Sequence, residues 1–144
     1  MGRKKKVEVI CENLELEIRT IFTTENILRA LAEKDYERLS RFFMIARVKK
    51  LVNNPDMMYS LKQYLLNDLN VAKTSKAAFL HRNTLIYRII KMQRITGIDV
   101  RNFTDAVLFN NIMFVRQFME EHQVEITAHL EAKRQQLLQE QQGF

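Results

Sequence analysis

The fold is decided by residues 74–88, which read TSKAAFLHRNTLIYR. Helical spacing predicts a short helix from about Val71 to Phe79 and a second helix from about Arg82 to Thr96. Gly97 follows at the C′ position, where many helices end in the left-handed conformation that glycine adopts without strain. Two short helices joined by a tight corner predict a helix-turn-helix.

The second helix has an apolar face and a polar face. Leu85, Ile89 and Met92 recur at i, i+4 and i+7, which commits their face to a protein core. The opposite face carries groups that bond phosphate oxygens or the edges of bases. These groups belong to Asn83, Thr84, Tyr87, Arg88, Lys91 and Arg94. A helix of this kind fits the major groove of B-DNA.

The segment around this helix is strongly basic. No acidic residue lies between Asp68 and Asp99, whereas the basic residues there are Lys73, Lys76, Arg82, Arg88, Lys91 and Arg94. The whole chain has a formal net charge of +6, and a positive field attracts polyanions. Because a basic amphipathic helix is more often a solvated surface than a DNA reader, charge by itself leaves both alternatives open.

The order of the residues carries a family resemblance. Residues 74–88 and the segment Thr-Gly-Ile-Asp-Val at 96–100 resemble the C-terminal helix-turn-helix domain of PucR and CdaR-type bacterial transcriptional regulators, which is similar to the Fis-type fold. The His-Arg-Asn-Thr-Leu-x-Tyr-Arg string at 81–88 is the most specific part of the likeness. The resemblance covers the chain from about Leu51 to Phe118.

The resemblance implies sequence-specific binding of double-stranded DNA by a transcriptional regulator. It places Arg82, Asn83, Thr84, Tyr87 and Arg88 at the DNA surface. We expect phosphate contacts, which set the affinity, and base contacts, which set the sequence preference. Phosphates are neutralised by Lys76, Arg82, Arg88 and Lys91, and base edges are met by Asn83, Thr84 and Tyr87.

Two of the matched side chains have alternative roles. His81 stands at the corner, where it can contact phosphate, cap the second helix or pack its ring against the turn. Tyr87 can bond the DNA backbone, but the favoured alternative is a half-buried ring that braces the two helices. Ser75 and Ala78 depart from the family pattern, which has alanine and leucine there. Regulators of this family carry long sensor and middle domains before the module; about fifty residues precede it here, so we expect no ligand sensing by this chain.

Composition predicts an all-α protein. The 144 residues, 47% of them hydrophobic, are enough for one core and too few for two well-separated globular domains. Three glycines and one proline are too few for the tight turns of sandwiches, barrels or doubly wound sheets. We therefore expect a helix-turn-helix bundle with N-terminal helices and a long C-terminal helix.

The N-terminal fifty residues are expected to be helical. Residues 7–22 favour a helix, although Leu14, Leu16 and Ile18 also alternate as in a strand. Caps are predicted at Thr23 or Thr24, at Asp35, and at Asn54 before Pro55, which suits the first position of a helix. The side chains expected to face the interior are Ile27, Leu28 and Leu31 in the first capped helix, and Leu39, Phe42, Phe43, Ala46 and Leu51 in the second.

A helix capped by Thr104 is expected to run unbroken to Gly143. We divide the chain into an N-terminal helical segment (1–50), the DNA-binding domain (51–119) and a polar helical tail (120–144). Two-fold DNA sites require paired readers, so we expect a homodimer. The apolar N-terminal segment is its first candidate interface, and the tail, with a thin seam at Leu130, Leu137 and Leu138, is the second.

Several other classes of function find no support in the sequence. A single cysteine, Cys11, forms no internal disulfide, and His122 and His129 are interpreted as solvated residues, so we expect no metal and no cofactor. An enzyme is the third choice and a poor one, because no glycine-rich phosphate loop, nucleophile with an evident base or clustered carboxylates are present. Glu8 interrupts the apolar region that a signal peptide would need after its basic start, which favours a cytoplasmic protein.

The rival interpretation is a helical interaction module. It would keep the fold but use the apolar N-terminal helices to bind and modulate a related full-length regulator. Capture of a protein partner without retention of DNA would distinguish this rival from the DNA-binding interpretation.

Overall fold

The computed structural model describes residues 18–143, and within that range the regular secondary structure is all helical, with no strand. Residues 18–21 are helical and lead into the first of the labelled helices. The helices are α1 (Thr24–Ala32), α2 (Tyr36–Phe42), α3 (Ala46–Val52), α4 (Pro55–Leu66), α5 (Val71–Ala78), α6 (Arg82–Thr96), α7 (Phe103–Glu121) and α8 (Gln123–Gln142). The predicted all-α helix-turn-helix bundle is confirmed.

A single apolar core joins the N-terminal helices to the helix-turn-helix. Ile18, Phe22 and Leu39 are fully buried in the same cluster as Leu85 and Ile89 of α6. The Phe22 ring also packs edge-on against the rings of Phe42 and Phe43, at centroid distances of 5.5 and 6.0 Å. The apolar side chains that the sequence offered as a dimer interface are therefore largely used inside the chain, at least from residue 18 onward.

Helix caps follow the sequence prediction at three places. Thr23 accepts a hydrogen bond from the backbone N–H of Asn26, and Asp35 accepts one from Arg38. Asn54 caps α4 by accepting from Met57 N at 3.1 Å, with Pro55 as the first helical residue. These caps are local, since each side chain pairs with an N–H of the turn that follows it. The interpretation of residues 7–17 lies outside the described residues.

Two of the expected core positions are wrong. Leu28 is 61% exposed, and Ala30 is buried in its place on α1. Ala46 is exposed because the expected long second helix is broken at residues 43–45, and a new helix, α3, begins at Ala46. The break changes the phase of the helical repeat, so Val48, and not Ala46, is the first buried side chain of α3.

The C-terminal helix also differs from the prediction. Its cap is Asn102, whose side-chain oxygen accepts from Asp105 N at 2.8 Å, and Thr104 is exposed inside the first turn. The helix is not continuous, because the backbone leaves the helical region at His122. This bend lets α8 pack on α2, burying Ile126.

His122 and His129 are not simply solvated. The His122 ring stacks on Phe118 with centroids 4.3 Å apart, and its Nδ1 lies 2.9 Å from the Phe118 carbonyl oxygen. The His129 ring contacts Tyr36 edge-on at 5.2 Å. Both histidines therefore contribute to the packing of α8 at its junctions with α7 and α2. None of the helices described here is long and apolar enough to cross a membrane.

Candidate nucleic-acid interface

The candidate reading helix is α6, and its ends are set by side chains close to them in sequence. Its observed range, Arg82–Thr96, is the range predicted from the sequence. At the N-terminus the Nδ1 atom of His81 accepts a hydrogen bond from Asn83 N at 3.1 Å. At the C-terminus Gly97 adopts the left-handed conformation, with φ of 76°, and its N–H donates to Gln93 O. Of the alternatives for His81, the structure therefore contains the cap, with the side chain still exposed.

One face of α6 is fully committed to the core. Leu85, Ile89, Met92 and Thr96 are all at most 1% exposed. The helix packs against α3, α4 and α5, so its orientation is fixed from three sides. A helix held in this way presents its remaining face to solvent in a constant direction.

The outward face of α6 carries most of the side chains predicted for DNA. Arg82, Asn83 and Arg94 are exposed, and Thr84 and Lys91 are half-buried. Tyr87 is 59% exposed, so the favoured prediction of a half-buried ring that braces the two helices is wrong. The Lys91 ammonium group lies 6.0 Å from the centre of the Tyr87 ring. This face therefore combines hydrogen-bonding, cationic and aromatic groups within reach of one another.

Arg88 lies apart from this group. It is half-buried, and its guanidinium donates to Ser60 Oγ at 2.5 Å and to the backbone oxygen of Asp56 at 3.3 Å. Ser60 is itself fully buried and donates to the same Asp56 oxygen at 2.9 Å. Arg88 thus joins the middle of α6 to the first two turns of α4, which the sequence pattern did not indicate.

The other helix of the pair, α5, is capped at its start by Asn70, which accepts from Lys73 N at 2.9 Å. The Lys73 ammonium pairs with Asp68 at 2.6 Å, and this hydrogen-bonded partner holds the pKa of the Asp68 carboxyl below its usual range. Lys76 is exposed. The helix ends at Phe79, which has a φ of 54° and is 96% exposed. Lys76 thus adds an exposed basic side chain on α5, the helix that packs against α6.

The small residues of α5 differ in how far they are buried. Ala78 faces the core, while Ala77 is exposed. The Ser75 hydroxyl is buried and has no hydrogen-bond partner within residues 18–143. The neighbouring hydroxyl of Thr74, by contrast, donates to Asn70 O at 2.7 Å. A buried hydroxyl without a partner is unusual, since such groups are costly to desolvate.

A buried ion pair ties the C-terminal end of α6 to the N-terminal part of the chain. Asp105, with its side chain 3% exposed, accepts two hydrogen bonds from the Arg19 guanidinium, and Arg19 also donates to Gly97 O at 2.9 Å. The Asp99 N–H donates to the same carboxylate at 2.8 Å. Burial by itself would raise the pKa of Asp105, but the hydrogen bonds from Arg19 and Asp99 outweigh it and hold the pKa below its usual range.

Within the described part of the chain, no group of three or more histidine, cysteine, aspartate or glutamate side chains is placed to hold a metal ion. The candidate site is therefore formed by the exposed basic and polar side chains of α6 and α5.

Comparison with known proteins identifies the family that residues 57–110 resemble. Residues 57–110 match the family model of the PucR C-terminal helix-turn-helix domain, which confirms the resemblance found in the sequence. The "Carbohydrate diacid regulator" of Escherichia coli (strain K12) is 39% identical over 64 residues, which are 44% of this chain and 17% of that protein.

Two relatives from Bacillus subtilis (strain 168) match a similar part of the chain. The "Proline-responsive transcriptional activator PutR" is 28% identical over 51% of this chain and 18% of its own length. The "Purine catabolism regulatory protein" is 25% identical over 53% of this chain and 14% of its own length. This chain thus spans less than a fifth of the length of each of these three relatives. No solved structure gave a match.

Proposed function

We propose that this chain, which contains a PucR-type helix-turn-helix at residues 57–110, is a sequence-specific DNA-binding transcriptional regulator. The observation that carries the proposal is the division of α6 into a buried apolar face and an outward face with Arg82, Asn83 and Arg94 exposed. A helix with this division can enter a major groove without disturbing the core. The names of the three relatives, each a regulator or an activator, agree with this function.

The proposed contacts divide into phosphate and base contacts. Arg82, Lys91 and Lys76 neutralise phosphates, because Arg82 and Lys76 are exposed and Lys91 is only half-buried. Asn83 meets base edges, helped by Thr84 and Tyr87. His81 acts chiefly through its cap, which keeps the first turn of α6 in shape.

Arg88 is assigned a different role from the one that the resemblance implies. Its guanidinium already donates to Ser60 and to Asp56 O, so we assign it to positioning α6 and not to a phosphate. The proposed phosphate contacts are then made by Arg82, Lys91 and Lys76.

The experiment that tests the function is selection of bound fragments from random duplex DNA, run at two salt concentrations. The expected result is a single enriched motif and a marked fall in affinity at the higher salt, because bound phosphates release counterions. Retention of no DNA, or salt-sensitive retention without any enriched motif, would overturn sequence-specific binding.

The functional form that we propose is a cytoplasmic homodimer. Two copies of α6 on a two-fold site bury more surface and discriminate better than one. With the apolar side chains of residues 18–52 largely in the core, α8 is the better candidate interface, since Leu137 and Leu138 are 53% and 45% exposed. Light scattering that returned one chain of 17.2 kDa at micromolar concentration would contradict the dimer.

A second candidate function is the binding of a partner protein. It is favoured by a groove of about 480 Å³ between α4 and α7, in which Tyr59 and Phe114 are about half exposed. Exposed aromatic side chains of this kind are common at protein interfaces. This function predicts that Phe114→Ala weakens capture of a regulator while DNA retention is unchanged.

A further inference from the structure

The outward face of α6 also includes two isoleucines that the core does not use. Ile86 and Ile90 are half-buried, and neither packs against the core that the described residues form. Ile95 is also half-buried, but it does pack against that core. The core of the described residues therefore leaves these two β-branched side chains available for a contact outside it.

The helical repeat places these isoleucines among the side chains proposed to read DNA. Ile90 follows Asn83 by seven residues and Tyr87 by three, so all three lie along one face. Ile86 lies one turn before Ile90 on the same side. We call Ile86, Tyr87 and Ile90 the apolar strip.

The surroundings of the apolar strip favour a nucleic acid over a protein as its occupant. Arg82 precedes Ile86 by one turn and Arg94 follows Ile90 by one turn, and both are exposed. No acidic residue occurs between positions 68 and 99. An occupant of this surface therefore has to be anionic at its edges and has to offer apolar groups at its centre.

The major groove of DNA has this combination when thymine is present. Phosphates line the groove, and the C5 methyl group of thymine is the apolar group exposed on its floor. We propose that Ile86 and Ile90 determine specificity by contacting thymine methyl groups, so that preferred sites carry thymine opposite the apolar strip. The inference rests on the proposed function and names the sequence feature that this surface recognises.

The test uses a duplex selected from a random pool, in which each thymidine is replaced in turn by deoxyuridine. This change removes the methyl group and leaves base pairing intact. For the natural chain we expect about fourfold weaker binding at one or more positions, the value for burying a single methyl group. The variants Ile86→Ala and Ile90→Ala should bind the thymidine duplex more weakly and should no longer distinguish it from the corresponding deoxyuridine duplex.

Ile95→Ala is the matched control, because it removes the same atoms from α6 on a side that packs against the core. It should keep the full preference for thymidine, and circular dichroism verifies that each variant is folded. The proposal is overturned if no position responds to deoxyuridine, or if the Ile86 and Ile90 variants keep the preference. It is also overturned if they change only self-association in light scattering, since the strip would then be a protein contact. Failure to retain any DNA would instead count against the proposed function as a whole.

Discussion

Arg88 in the middle of α6 donates hydrogen bonds to Ser60 Oγ and to the Asp56 carbonyl oxygen of α4. Two helices are thus joined by a cation that the sequence pattern assigned to the candidate DNA surface. The bond partly satisfies the guanidinium inside the protein, where Ser60 is fully buried.

Replacing Arg88 with methionine should therefore lower the free energy of unfolding and leave the salt dependence of DNA binding unchanged. We expect a loss of about 1–3 kcal/mol in the free energy of unfolding, because hydrogen bonds from a charged donor are lost. Ser60→Ala should also lower the free energy of unfolding, but by a smaller amount. Urea denaturation measures both, and an unchanged salt dependence of DNA binding in Arg88→Met separates positioning from phosphate contact. A salt slope reduced by about one would restore Arg88 as a phosphate ligand.

Lys91→Ala and Asn83→Ala should differ in their effect on DNA binding. The lysine change should weaken binding to all sequences about equally and reduce the salt slope by about one, because one phosphate contact is lost. The asparagine change should narrow the gap between selected and random DNA, by about 1–3 kcal/mol for a lost base contact. Fluorescence anisotropy at several salt concentrations measures both quantities. Equal losses with the same salt slope for the two variants would contradict these roles.

The cap at His81 predicts a contrast between alanine and asparagine at this position. His81→Ala removes the acceptor for Asn83 N and should cost about 1 kcal/mol in the free energy of unfolding, whereas His81→Asn supplies a good capping side chain and should cost less. Thermal unfolding followed by circular dichroism checks the order. If His81→Asn is stable but binds DNA much more weakly, His81 contacts phosphate in addition to capping the helix.

The unpartnered hydroxyl of Ser75 predicts a stabilising substitution. Ser75→Ala removes a buried polar atom that has no partner within the described chain, so the free energy of unfolding should rise by about 1 kcal/mol. Thr74→Val is the matched control, because the Thr74 hydroxyl is bonded to Asn70 O and its removal should destabilise the protein. Equal destabilisation by both changes would mean that Ser75 has a partner after all.

The buried pair of Asp105 and Arg19 predicts a dependence of stability on pH. Because the folded-state pKa of Asp105 is lowered, its stabilising contribution is complete above the ordinary aspartate pKa of about 3.9 and is lost as pH falls through the lowered value. Asp105→Asn should cost about 1.5–3 kcal/mol at pH 7, and this difference should shrink under acid conditions. Denaturant titrations at pH 7 and pH 3 measure it.

Asp68→Asn is the control for this pair. Asp68 forms an exposed ion pair with Lys73, and exposed pairs contribute little to stability. Asparagine also tolerates the positive φ of 60° at this position. A loss at Asp68 as large as the loss at Asp105 would show that burial of the pair is not the source of the effect.

The features predicted correctly from the sequence are those that depend on residues close together in the chain. The range of α6 could be predicted because its ends are marked by adjacent residues, His81 and Gly97. The buried face of α6 followed from helical spacing for the same reason. The break before α3 and the bend at His122 were missed, because no glycine or proline marks them in the sequence.

Contacts between distant residues could not be predicted in the same way. Arg19 and Asp105 are separated by 86 positions, and neither stands in a recognisable motif. Arg88 was placed correctly on the polar side of α6, but its partner lies on another helix whose approach angle no local pattern reveals. The position of a cation on a helix face could be predicted, while its choice between solvent, DNA and another helix could not.

The two attachments of α6 have a mechanical consequence. Arg88 fastens the helix near its midpoint to α4, and the carbonyl of Gly97 is held by Arg19 at the far end. Leu85 is the first side chain of the helix in the core; ahead of it Arg82 and Asn83 are exposed, and the cap at His81 is a local bond. For the proposed DNA complex we therefore expect any bending of α6 along a duplex to occur before Leu85, and the segment between Arg88 and Gly97 to keep its direction.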